Sequence, residues 1–226
     1  MRFLLLILLL ISAEISQAQS IQSQLRFELL FNGVKLNINE LYFDPIHEDS
    51  IKITTLKFYV SDIVLNFKRE NAPPAYYPVR KLIDFKYPES LEIADIDVSG
   101  IKSLSFILGL DSSINVSGAL GGDLDPTQGM YWSWQSGYIN FKIEGISKNC
   151  LTRDKSFIFH LGGYKKPFES IRKVNLDFKS EKSNIIQLDL IHFFKKTDLS
   201  RQSGIMSPSR IAKDKSRILA ESFNSH

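Results

Sequence analysis

The chain has 226 residues, 43% of them hydrophobic, with 28 basic against 25 acidic side chains and a single cysteine. The apolar share is ample for a core, and a net charge of +3 scattered along the chain argues against a nucleic-acid surface. One cysteine excludes an internal disulfide, so stability must come from packing.

In chain order, Met1-Arg2, an unbroken apolar run over 3–11 and the small residues of Ser16-Gln17-Ala18 read as a signal peptide over 1–18. The run is too short for a membrane span, which needs about 20 residues. No cysteine follows it for lipid attachment. The mature chain is expected to begin near Gln19, to reach the periplasm or the cell surface, and to hold no transmembrane segment. Loss of the leader removes Arg2 and Glu14 and leaves the charge at +3.

Residues 25–31 form the first predicted strand, closed by Asn32-Gly33, a strong hairpin dipeptide. Residues 51–67 alternate as one long strand, or as two with a break near Ser61-Asp62. Residues 71–78 are expected to be a loop, because their prolines forbid a central strand. A strand over 101–110 follows, ended by the polar stretch 111–117. Strands over 131–143, 157–161, 170–178 and 185–194 complete the set. Eight or more strands with no long helical period predict an all-β domain over 19–196, an antiparallel sandwich or barrel-like fold. Residues 197–207 read as a polar linker. Ser207-Pro208 then opens a short amphipathic C-terminal helix on or near the domain, with Ile211, Ile218, Leu219 and Phe223 near one face.

Enzyme signatures are missing: no GxSxG, HExxH, Walker or Rossmann pattern occurs, so catalysis is not expected. The four histidines, His47, His160, His192 and His226, are dispersed and offer no local metal pair. Asp123 and Asp125 in GDLDP could touch calcium, but two carboxylates are too few and the composition is that of a turn. Cys150 is a buried thiol, an intermolecular bridge or a reactive group, and burial is the ordinary case. Both tryptophans fall in GMYWSWQSGY. Read as a strand, its period of two puts Met130, Trp132 and Trp134 on one face, as a core stripe or as a site.

The stretch LDPTQGMYWSWQSGYINFKIEG at 124–145 closely resembles the signature strand of the MbnP-like family, exported proteins named for a methanobactin-associated periplasmic member. FELLFNG at 27–33, LKFYVSDIVL at 56–65, SFILGLD at 105–111, FIFHLGG at 157–163 and IMSPSR at 205–210 agree in the same order. The resemblance spans nearly the whole mature chain and implies a single β-rich domain that binds copper as a non-catalytic carrier or scavenger. It also implies that Trp132 or Trp134 is oxidised to kynurenine by a di-haem cytochrome c peroxidase-like partner. Indole nitrogen only donates a hydrogen bond, whereas the opened ring carries an aromatic amine able to coordinate. By the same resemblance His160 is the expected imidazole ligand and Met130 a soft one, with His47 or His192 as substitutes from other strands. Leu29 departs from the pattern, since many relatives carry a histidine there. That departure keeps open a binding or scaffolding module on the same fold without metal, in which the WxW stripe is core.

Overall fold

The computed structural model describes residues 24–135, 137–178 and 184–225, so the leader expected over 1–18 and His226 lie outside the described residues. Its strands are β1 (Leu25–Phe31), β2 (Val34–Lys35), β3 (Leu41–Asp44), β4 (Asp49–Phe67), β5 (Ala75–Asp84), β6 (Glu92–Ile93) and β7 (Ile101–Leu108). After helix α1 (Ser112–Val116) come β8 (Tyr131–Trp132), β9 (Gly137–Ser147), β10 (Ser156–Gly162), β11 (Arg172–Asp177) and β12 (Ile185–Asp189). Helix α2 (Ile191–Lys195), β13 (Gly204–Ile205), helix α3 (Arg210–Ala220) and β14 (Phe223–Ser225) end the chain.

The all-β expectation holds, with the strands forming a curled half-barrel. The larger sheet has nine strands in the order β11-β7-β4-β9-β10-β13, with β3 and β5 on β4 and β8 on β9. The smaller has five, ordered β14-β12-β1-β2 with β6 on β1. Most pairs are antiparallel, and β1–β12 and β10–β13 are parallel. The sheets share one core. Phe27 of β1 meets Phe58 of β4 and Phe106 of β7 edge to face, with ring centroids 5.6 and 5.9 Å away. Leu29 lies in that core, as does Cys150, whose thiol pKa is pushed up by burial.

Local chemistry explains the turns. Asn32 and Gly33 take φ of 53° and 77°, the left-handed values that a two-residue hairpin needs. The Asp189 carboxylate accepts the N–H groups of Asn32, Gly33 and Ile191 at 2.9, 2.8 and 3.1 Å, tying the β1–β2 turn to the end of β12. Asp189→Ala strands three donors and is expected to cost about 3 kcal/mol in urea unfolding. Asp189→Asn keeps an accepting oxygen and should recover part of the loss.

Several boundaries differ from expectation. Residues 49–67 are one strand, and the break near Ser61-Asp62 is a bulge at which Asp62 has φ of 51°. The loop over 71–78 ends at Pro74, because β5 begins at Ala75 and runs through Pro78. Pairing skips Pro78 at that bulge, and β5 pairs with β4 alone, so its missing N–H costs no ladder bond. The strand expected over 131–143 is two strands, β8 and β9, paired antiparallel, and that over 185–194 stops at Asp189 before α2. The linker over 197–207 contains β13, paired with β10. Ser209, not Ser207, caps α3, its hydroxyl accepting the Ala212 N–H at 3.1 Å. Ile211 is exposed, whereas Ala212, Ile218 and Leu219 are buried. Phe223 leaves the helix for β14, where its ring packs on Phe58 and Phe106. Among the described residues no helix is long and apolar enough to cross a membrane.

Candidate functional site

The reversal between β8 and β9 breaks the aromatic stripe. Met130 is fully buried, Trp132 is 5% exposed and Trp134, in the turn, is 63% exposed. Met130 and Trp132 join a second apolar cluster with Tyr59, Leu110, Leu124, Tyr138 and Ile139. Trp134 leans on Trp132, ring centroids 5.6 Å apart and planes tilted by 41°. The structure therefore brings the three residues together, but with Trp134 outside the core.

Turn chemistry holds the hairpin. The Asp125 carboxylate accepts from the Thr127 N–H and hydroxyl at 2.8 and 2.6 Å, and Gly129 follows with φ of 72°. Asp123 accepts the Leu82 N–H at 3.0 Å and faces Lys81 at 3.5 Å. Asp125 serves the turn and Asp123 ties it to β5, and no group of three or more His, Cys, Asp or Glu among the described residues could hold a metal ion. Asn115 of α1 accepts the Tyr138 N–H at 2.8 Å, and the Tyr138 hydroxyl donates to Leu124 at 2.9 Å.

The Trp132 ring lies on β10 at Gly162, where a β-carbon would stand 2.5 Å from its Cζ3. Its indole N–H is buried and has no hydrogen-bond partner among the described residues. An unmet buried donor costs about 1–3 kcal/mol and calls for an explanation. Trp132 also floors an open cleft of 230 Å³, walled by Gln135, Tyr164, Lys165, Phe168 and Pro208.

His160 stands two residues before Gly162, on β10, with 8% exposure. Its Nε2 is 2.6 Å from Oε1 of Glu144, which also lies 3.3 Å from the Lys142 ammonium. With Glu144 ionised this nitrogen donates, and a neutral ring carries its lone pair on Nδ1. The hydrogen bond from His160 is the main cause that holds the Glu144 pKa down at about 2. Burial opposes it and the Lys142 charge assists. A depressed acid contributes stability that is complete above its ordinary pKa of 4.5 and fades as pH falls towards 2. Glu144→Gln should lose about 1–2 kcal/mol at pH 7 and flatten the stability–pH curve over that window. Equal curves for the variant and the parent would contradict this.

His47 holds Asp44 at 2.7 Å through Nδ1, in the turn between β3 and β4. His192 is exposed on α2. No hydrogen bond or ion pair among the described residues joins either of them, or His160, to the tryptophans, and none of the three lines the cleft at Trp132. Sequence reasoning missed Glu144 and the cleft walls Tyr164, Lys165, Phe168 and Pro208. The only local signal for the walls was an aromatic and basic cluster, YKKPF at 164–168, between two strands.

A family model described as MbnP matches residues 20–207. Among solved structures, MbnP from Methylosinus trichosporium superposes with a TM-score of 0.60 at 18% identity, covering 79% of this chain and 78% of that one. At that identity the likeness is one of fold. No match is found among curated proteins.

Proposed function

We propose, because the chain belongs to the MbnP family, that it handles copper outside the cytoplasm as a carrier or scavenger rather than as a catalyst. The observation that carries this reading is Trp132, a buried indole with an unmet N–H at the floor of a cleft open to solvent. As they stand, the side chains do not complete a copper site. Indole cannot coordinate, Nε2 of His160 is turned to Glu144, and Leu29 offers no donor. The set fits copper only after Trp132 is converted to kynurenine, whose aromatic amine would join imidazole and thioether donors of the kind that suit this metal. Trp132 is then the modified residue, with His160 and Met130 as supporting ligands. A di-haem cytochrome c peroxidase-like oxidase would meet the protein at the exposed Trp134 ring, in contact with Trp132.

Two observations favour a second reading, a binding or scaffolding module that keeps the fold without the metal. Glu144, itself paired with Lys142, holds His160 as a structural histidine, and Leu29 is core. Peptide mass spectrometry of residues 129–142, with copper analysis, on protein from its native host decides between them. The copper reading expects kynurenine at Trp132 and loss of bound copper in Trp132→Phe. Two intact tryptophans and no retained copper would establish the module.

A further inference from the structure

The cleft over Trp132 has features that copper handling does not use. Three segments distant in sequence build it: the β8–β9 turn, the loop after β10, and Pro208 ahead of α3. The loop wall is fixed in place. The Phe168 N–H donates to the Lys165 carbonyl at 3.1 Å, the Ser170 N–H to Gly163 at 2.9 Å, and the Lys213 ammonium to Pro167 at 3.0 Å. That wall is therefore held without a ligand, which spares part of the ordering cost of binding. At 230 Å³ it is smaller than the roughly 300–1,000 Å³ of drug-sized sites, and suits one or two fused rings.

Its walls are aromatic and its charge is of one sign. Tyr164 and the substantially exposed Phe168 present ring surface, and Trp132, 5% exposed, reaches the cleft only by a small part of its indole. Lys165 and Lys166 line the same space, and among the described residues no acidic side chain does. The Lys165 ammonium lies 5.4 Å from the centroid of the Tyr164 ring. Ring faces beside uncompensated ammonium groups complement a flat π-system that carries negative charge.

We propose that this cleft binds a planar aromatic anion, its ring between Tyr164 and Phe168 above Trp132 and its carboxylate or sulfonate towards Lys165 and Lys166. The site shares Trp132 with the copper reading but does not rest on it, because the aromatic and basic walls are the same with that indole intact.

The test uses the mature chain with intact tryptophans, in excess chelator, titrated with 2-naphthoate and with neutral 2-naphthol. Calorimetry and quenching of tryptophan emission report binding. Naphthoate is expected to bind about tenfold more tightly than naphthol, a difference of about 1.4 kcal/mol. Lys165→Gln/Lys166→Gln should erase that preference, and Phe168→Ala should weaken both probes. All three positions are exposed, so these variants should fold normally. Absence of naphthoate binding up to its solubility limit would overturn the proposal. Equal binding of the two probes, or naphthoate affinity unmoved by the lysine pair and by Phe168→Ala, would do the same.

Discussion

Replacing Phe58 with alanine is expected to lower the free energy of unfolding by about 4 kcal/mol. Phe58 is fully buried on β4, where it stacks on Phe141 across the ladder with planes 5° apart. It also meets Phe27 of β1 and Phe223 of β14, both 5.6 Å away, and Phe85 at 6.2 Å. These rings come from both sheets, and hydrogen-bonded ladders hold most of them in place. The void left by alanine therefore cannot close by local relaxation, so the cavity cost adds to the lost burial. Phe58→Leu keeps most of the volume and should cost less than about 1.5 kcal/mol. Urea unfolding followed by circular dichroism measures both. A loss below about 1 kcal/mol for Phe58→Ala would show that the sheets do not depend on a common core.

Gly162→Ala is expected to cost about 2–3 kcal/mol by overpacking. Its β-carbon would stand 2.5 Å from Cζ3 of Trp132 and 2.7 Å from the Tyr138 carbonyl oxygen. The carbonyl is ladder backbone and the indole is enclosed, so neither yields without displacing the hairpin. The variant should therefore also move Trp132 towards solvent and shift tryptophan emission to the red. Gly204→Ala is the control, since a β-carbon there would have its nearest contact at 3.8 Å, an ordinary packing distance. Stability and emission matching the parent in Gly162→Ala would refute the close packing of Trp132 on β10.

The effects of these two substitutions could not have been read from the sequence, although much of the framework could. Alternation marked nearly every long strand because burial on one face of a sheet repeats every second residue, a property carried by near neighbours. Asn32-Gly33 marked its turn for the same local reason, since few residues tolerate two left-handed conformations in a row. The long strand β4 and its irregularity at Ser61-Asp62 were legible together, as was the special character of GMYWSWQSGY.

Local pattern misled where a distant contact overrode it. Period two runs on through residues 131–143, yet the chain turns back there so that Trp132 can lie on Gly162 and Trp134 can face solvent. Phe223 continues the helical spacing of α3, but an opening between Phe58 and Phe106 and the free edge of β12 draw it into a strand. Ser207 before Pro208 looks like a cap, but the cap is Ser209, whose hydroxyl reaches the Ala212 N–H.

The sequence by itself determined the all-β class, most of its longer strands, the family and the residue types available for chemistry. Tertiary structure alone decided which of them meet: His160 with Glu144 through the β9–β10 register, and Trp132 with a loop and a proline far along the chain. Strand identity is set by neighbours a few residues apart. Register and loop placement are set by the summed burial of many distant side chains, which no local period records.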